Sequence, residues 1–484
     1  IKRICNTWKI PLIEDAAEQG INGFLLALWS SEVSMIHWLD IYNNKNDRSQ
    51  LFYWFIDDFM PEFDGYFLPA WVIETAKKNG LVIDKIAIER DVCVENKSIF
   101  WGAGTAMPSD DVSYLEGGVN LVGWPKTEIG IGEDIRVAAA ALETISFPFA
   151  VIDAAKRLPP TPEQVELGLS KYTVDQPKYD TDIVFLDAST QYRYYALDFI
   201  KNTPVTRKII GVCPWELPIW PQEAAFSLVN VDTFWAASKF IYDAFSEHFP
   251  SEQIFHTPPA VLVPGEVTGD IVSENRDEPL MFLTIFDGLS SIHRKNPIAT
   301  VRAFIAAFPP SNKDVKLVVK AMNMSIGHEE IRALMALVSS DSRIEIINKT
   351  MTRSELFALV KRSHCFVSLH RSEGFGRNIA ESMLFGKPVI CSSYGGNLDF
   401  CNTNSAYLVE GKEIEVLSHQ YSFSKGQVWF DASVEHATLL MKSVYEDWGE
   451  AVKVAAAGFE LVSNNHSLEQ TAKRYAHALK SMNI

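Results

Sequence analysis

Two glutamates, Glu373 and Glu381, are separated by seven residues in HRSEGFGRNIAESMLFGKPVI, the stretch from His370 to Ile390, and Gly374, Phe375 and Gly376 directly follow the first. At that spacing two carboxylates can hold opposite ends of one ligand several ångströms long. Carboxylates are good acceptors for pairs of sugar hydroxyls. The glycines let the backbone turn sharply and let a ligand approach without interference from a Cβ. A helix is predicted to start near Arg377 and to end at Gly386, so the amides of the loop and first turn would form a cradle for an anion or a hydroxyl. Taken alone, the same letters also fit a plain glycine-terminated strand-to-helix turn with two surface glutamates.

The elements around the stretch decide where it would sit. CFVSLH is a strand, which puts Glu373 just past its carboxyl end. Upstream the chain alternates apolar strands (LMFLTIFD, VKLVVKAM, RIEIINK) with helices (NPIATVRAFIAAF, HEEIRALMALV, TRSELFALVKRS). Downstream come the strand KPVICSS and closing helices from SVEHATLLMKSVYED onward. An earlier run repeats the texture, with VNLVG, DIVFLD and RKIIGVC as buried strands and a glycine loop at Gly130, Ile131 and Gly132 entering a helix. Glu133 and Asp134 fall in that helix's first turn, where the dipole favours acids. Apolar strands alternating with helices imply parallel sheets covered on both faces, and ligands in such sheets sit beyond the carboxyl ends of the strands. The expected fold class is therefore α/β with two facing open units. One spans 116–270 and the other 279–464, with a polar Gly/Pro-bearing linker near 264–279 between them and a terminal helix over 465–484 that packs back on the first unit. Residues 1–115 differ: apolar positions recur at helical spacing and aromatics are dense (Trp29, Trp38, Trp54, Trp71), which reads as the core of a small helical region.

Totals narrow the function. The chain has 484 residues and a net charge of -17, which argues against a nucleic-acid partner and against simple electrostatic docking on an anionic membrane. No apolar run approaches the roughly 18 residues a membrane span needs. Six cysteines are scattered without metal-ligand spacing and several lie in apolar strands, so buried reduced thiols in a cytoplasmic protein are expected. The chain opens at Ile1, which reads as a fragment of a longer protein, with further domains of a longer chain or partner enzymes as an expectation.

With these words assembled, the chain resembles retaining, nucleotide-sugar-dependent glycosyltransferases of the GT-B fold, whose signature is a glutamate pair separated by seven residues. FDGLSSIHRKNPIATVRAFIAAF, SLHRSEGFGRNIAESMLFGKPVI, SYGGNLDF and VWFDASVEHATLLM carry the likeness to a bacterial branch that assembles surface polysaccharides and lipopolysaccharide. NLVGWPKTEIGIGEDIR and CPWELPIWP carry it in the first unit, and INGFLLALWSSEV resembles a helical region found upstream in that branch. The resemblance implies that Glu373 binds donor-sugar hydroxyls and that the backbone of Gly374, Phe375 and Gly376, with Asn378, cradles sugar and phosphate. Glu381 would accept from the ribose, and Arg294 and Lys295 would neutralise the diphosphate. It also sets Gly130, Ile131 and Gly132 near the diphosphate.

Two departures stand out. The family separates its basic pair, whereas Arg294 and Lys295 are adjacent, and Arg377 replaces a small apolar residue. His370, Trp215, Glu216 and Asn397 are further sugar or acceptor contacts to be weighed against structural roles. The implied reaction is hexosyl transfer from a nucleoside-diphosphate sugar to a saccharide or lipid-linked saccharide. It would proceed without metal or other cofactor, in the cytoplasm or at the inner face of the membrane as a peripheral protein. A sugar-nucleotide epimerase of the same fold and a catalytically silent nucleotide-sugar-binding subunit are the competing readings.

Overall fold

The computed structural model describes residues 114–484 apart from 128, 157, 159–168, 189, 193, 196–206, 222–223, 225–226, 229, 264–278 and 325–326. The helical region expected over 1–115 thus lies, but for its last two residues, outside the described residues. The chain divides into two compact units. One comprises Ile1–Leu115, Ala188–Lys208 and Pro221–Val231; within it Arg207 Nη1 donates to the Tyr114 hydroxyl at 2.9 Å. The other comprises Glu116–Asp187, Ile209–Trp220 and Asp232–Ile484 and carries two Rossmann-like parallel sheets.

The first sheet is built from β1 (Val119–Gly123), β2 (Phe149–Asp153), β3 (Thr173–Val174), β4 (Thr181–Phe185), β5 (Lys208–Gly211), β6 (Thr233–Ala236) and β7 (Ile254–His256), in the order β3-β2-β1-β4-β5-β6-β7. Central β1 pairs in parallel with β2 (Val119 opposite Phe149) and with β4 (Asn120 opposite Asp182). All five of its residues are buried, the pattern of a strand with both faces covered. Helix α1 (Gly130–Thr144) follows and buries Ile135, Ala138, Ala141 and Leu142. Its first turn therefore opens at the carboxyl end of β1. A shorter helix, α2 (Lys239–Phe245), follows β6 and is capped by Ser238, whose hydroxyl accepts from Ile241 N.

The second sheet runs β10-β9-β8-β11-β12-β13, from β8 (Leu280–Asp287), β9 (Val315–Met322), β10 (Ile344–Asn348), β11 (Cys365–Ser368), β12 (Val389–Ser392) and β13 (Tyr407–Val409). Its crossover helices begin with the short α3 (Ile292–Lys295) and α4 (Pro297–Ala307), then α5 (Glu329–Ser339), α6 (Arg353–Arg362) and α7 (Arg377–Leu384). Local chemistry sets their starts. Pro297 at the first turn of α4 has no amide to lose there, and Thr352 and Glu355 form a reciprocal capping box on α6. α7 starts from Gly376, whose φ of +90° suits glycine alone among common residues. Phe282, Phe304 and Leu317 lie in one buried cluster and Phe366, Ile379 and Met383 in another. Each such phenylalanine contributes about 1.5–3 kcal/mol through burial.

Two features complete this unit. After β13 an antiparallel hairpin, β14 (Gly411–Glu415) and β15 (Val428–Ala432), precedes α8 (Val434–Glu446) and α9 (Trp448–Asn465). The chain then returns to the first sheet as α10 (Leu468–Ser481). There Ala472, Tyr475, Ala478 and Leu479 join Ile135, Ala138 and Leu142 of α1 in one apolar cluster. The return passes His466, whose carbonyl accepts from Val261 N at 2.9 Å, and Thr471, whose hydroxyl donates to Pro258 O at 3.1 Å. The segment just after β7 is thus hydrogen-bonded to the returning chain.

Candidate active site

A cavity of about 510 Å³ lies beyond the carboxyl ends of the strands of both sheets. Its walls include the start of α1 with its cap (Ile129–Ile131), the loop after β5 (Val212–Pro214, Glu216), the ends of β8 and β9, and the whole of Glu373–Ile379.

Glu373 stands between two cations. Lys295 Nζ is 2.5 Å from one carboxylate oxygen and Arg294 Nη1 is 3.3 Å from the other. Adjacency of the two basic residues proves no obstacle, because the short α3 turns around Glu373. Ser291 caps it by accepting from Arg294 N, and the Arg294 carbonyl accepts from Arg371 N at 2.7 Å, fixing the helix to the Glu373 loop. Burial alone would raise the Glu373 carboxyl, but Lys295 and Arg294 outweigh it and hold the group down to about 2. Burial likewise lowers Lys295, with Glu373 opposing. Arg294 is 5% exposed and reaches further, to the Ser372 carbonyl at 3.0 Å and to Glu216 at 3.5 Å. Its Nε has no protein partner among the described residues. Tyr421, from the loop of the β14–β15 hairpin, donates to Glu216 from behind.

The glycines are there for room. A Cβ on Gly374 would lie 2.7 Å from the Trp215 carbonyl, and one on Gly396 would lie 1.9 Å from the Gly374 carbonyl. The Gly374 carbonyl also accepts from Ser238 Oγ at 2.5 Å. Phe375 packs on Phe400 and His466. Asn378 lines the cavity in the first turn of α7.

Glu381, one turn along α7, is 3% exposed and accepts from Arg353 at 3.0 Å. Burial raises its carboxyl, with Arg353 and then Arg377 opposing. Arg377 itself pairs with Asp134 across the cleft, and its Nη1 has no protein partner among the described residues.

The other expected contacts divide. Glu216, Gly130 and Ile131 line the cavity. Gly132 faces away: a Cβ there would strike Thr127 Oγ1 at 2.4 Å, so it serves the packing of its own loop. The Trp215 ring is buried against Trp220 and Tyr421, with Nε1 donating to Ile219 O. His370 and Asn397 are fully buried and bonded to each other, His370 Nε2 also donating to Tyr394 O at 3.0 Å and Ser368 Oγ to His370 Nδ1. Burial lowers the His370 pKa, so a neutral ring fits. The pair braces the Glu373 loop from behind, which is a structural role. Sequence reasoning treated Glu133 and Asp134 only as dipole partners and passed over Arg353, Tyr421 and Lys320, all of which bear on the cleft. Among the described residues no group of three His, Cys, Asp or Glu could hold a metal ion, and no helix is long and apolar enough to cross a membrane.

A cleft of this kind between two Rossmann-like sheets defines the GT-B class of fold. The chain is similar to Anabaena HepE in complex with UDP-glucose (12% identity, TM-score 0.52), covering 75% of this chain and 99% of that one. It is similar also to a glycosyltransferase from Rickettsia africae (14%, 0.50, covering 76% and 99%) and to OtsA (10%, 0.52, covering 75% and 99%). At these identities the likeness is one of fold. Residues 291–422, from the cap of α3 into the hairpin, match the family described as Glycosyl transferases group 1. No curated protein matches the sequence.

Proposed function

We propose that the protein is a retaining glycosyltransferase that moves a hexosyl group from a nucleoside diphosphate to a saccharide or lipid-linked saccharide, as in surface-polysaccharide assembly. One observation carries this reading: a carboxylate, Glu373, held past a strand end between Lys295 and Arg294, with a second carboxylate, Glu381, lining the same cavity. In the reaction the bond from the anomeric carbon to the phosphate oxygen breaks and the acceptor oxygen bonds on the same face. The acceptor's hydroxyl proton passes to the departing phosphate. Lys295 and Arg294 stabilise the charge that grows on that phosphate, which is why this reading needs no metal. Glu373 orients the sugar through its hydroxyls, and the loop amides hold the phosphate. Glu216, on the wall contributed by the first sheet, receives the acceptor. The work would be done in the cytoplasm or on the inner face of a membrane.

Thermal midpoints with UDP, GDP, ADP and dTDP test the first half, and UDP is the first choice because HepE binds UDP-glucose. A shift with one of them is expected. The matching nucleotide sugar is then incubated with and without acceptor. Turnover without acceptor would indicate an epimerase or a hydrolase, and binding without turnover a silent subunit.

Glu381→Gln should keep the fold yet weaken nucleoside-diphosphate affinity by about ten- to a hundredfold, through loss of a charge-assisted bond to the ribose. Calorimetry reads it, and an unchanged dissociation constant would remove Glu381 from the nucleotide site.

A further inference from the structure

Arg353 is the first residue of α6, just past the carboxyl end of β10, and lies on the ring of Phe357 with its Cζ 4.5 Å from the centroid. Its Nη2 stands 3.0 Å from Glu381 Oε1, 3.2 Å from Glu133 Oε1 and 3.3 Å from the Leu262 carbonyl. One nitrogen therefore serves a carboxylate from each Rossmann-like domain, and all three side chains line the cavity. Glu133 is fixed in turn by Arg136, at 2.9 Å and 2.7 Å from its other oxygen.

We propose that Arg353 is a positioning residue for the donor nucleoside: it turns the Glu381 carboxylate toward the ribose diol and, through Glu133, makes that grip depend on the first Rossmann-like domain. The inference rests on the reading of Glu381 as the ribose ligand. With Oε1 engaged by Arg353, Oε2 is left to accept from the sugar. A carboxylate as buried as Glu381 loses its solvation, which raises its pKa, and a cation at 3.0 Å opposes that loss and favours the ionised, hydrogen-bond-accepting form. The charged groups around it are Arg353 from α6, Glu133 from α1 and Arg377 from its own helix, the last already paired with Asp134. Glu133 gives Arg353 a second anchor, so the guanidinium holds its place while the ribose competes for Glu381.

The test compares wild type, Arg353→Met, Arg353→Lys and Glu133→Gln by calorimetry. The probes are inorganic pyrophosphate and whichever of UDP, GDP, ADP and dTDP wild type binds most tightly. Arg353→Met is expected to weaken the nucleoside diphosphate about ten- to a hundredfold and to leave pyrophosphate within about twofold. Glu133→Gln should weaken the nucleoside diphosphate about three- to tenfold, again sparing pyrophosphate. A purely structural role would weaken both probes together. The second readout is the acid limb of affinity for the matching nucleotide sugar, whose phosphates bear no titrating proton in this range. Removing the cation raises the Glu381 carboxyl further, so affinity in Arg353→Met should fall away at a higher pH than in wild type. If Arg353→Met does not fold, the same selectivity and limb are read on Arg353→Gln, which also lacks the cation, and Arg353→Lys should return the limb toward wild type. Equal weakening of both probes, or an unmoved acid limb, would overturn the proposal. A wild-type protein that binds none of the four nucleotides would instead overturn the functional reading beneath it.

Discussion

Glu373→Gln is expected to lower turnover by about two to four orders of magnitude while leaving nucleoside-diphosphate affinity undiminished. The two readouts part company for a reason visible in the site. In the free protein Lys295 and Arg294 direct their charge at Glu373, at 2.5 Å and 3.3 Å. An amide in its place releases both cations toward the diphosphate, yet no longer anchors the sugar hydroxyls with a charged acceptor. Because Glu373 is held down to about 2, it has no proton to give at neutral pH, and its engagement with two cations suits an orienting group better than an attacking one. Proton NMR of the first product should therefore show the donor's anomeric configuration kept, and intact mass spectrometry should show no sugar on the protein. An inverted anomer would sink the retaining assignment, and an adduct at Glu373 would sink its role.

Lys295→Ala should cost about a hundred- to a thousandfold in turnover, weaken the nucleoside diphosphate about tenfold and leave the nucleoside alone untouched. The charge it faces grows as the phosphate departs, so more is lost in the transition state than in the bound substrate. A pH profile adds a signature. Lys295 is the larger of the two cationic influences that keep Glu373 ionised against burial, so its removal raises the Glu373 carboxyl. Activity that needs the carboxylate should then disappear at a higher pH on the acid side than in wild type. Turnover and diphosphate binding at wild-type level would end the phosphate assignment.

Much of the site was legible because its signals are local. Glu373, Gly374 and Gly376 announce a strand end, a tight turn and a helix start within four residues, and the structure has β11, the φ of +90° at Gly376 and α7 in that order. The alternation of apolar strands with helices likewise pointed to two parallel sheets, although β2, β3, β7 and β13 are not among the strands it names. What stayed hidden depends on which distant segments meet. His370 and Asn397 carry polar groups suited to a sugar, and only the fold reveals that each satisfies the other in a sealed pocket. Gly132 sits in the first turn of α1, whose Gly130 and Ile131 do line the cleft, but one position's difference in direction turns it toward Thr127. Arg353 could be seen as the first residue of a capped helix. Its partners Glu133 and Glu381 lie on other elements, 220 residues before it and 28 after it, and no spacing rule joins them.

The return of α10 to the first sheet has a consequence for how the chain is made. Ile135, Ala138 and Leu142 of α1 complete their apolar cluster only with Ala472, Tyr475 and Leu479, more than 300 residues later. During synthesis the first sheet can therefore emerge from the ribosome and collapse, but it keeps an uncovered greasy face until α10 follows. The second sheet has by then had the whole of its own sequence with which to fold. A messenger truncated before the codon for Leu468 would yield a nascent protein with an intact second sheet and a sticky first one, a natural client for chaperones.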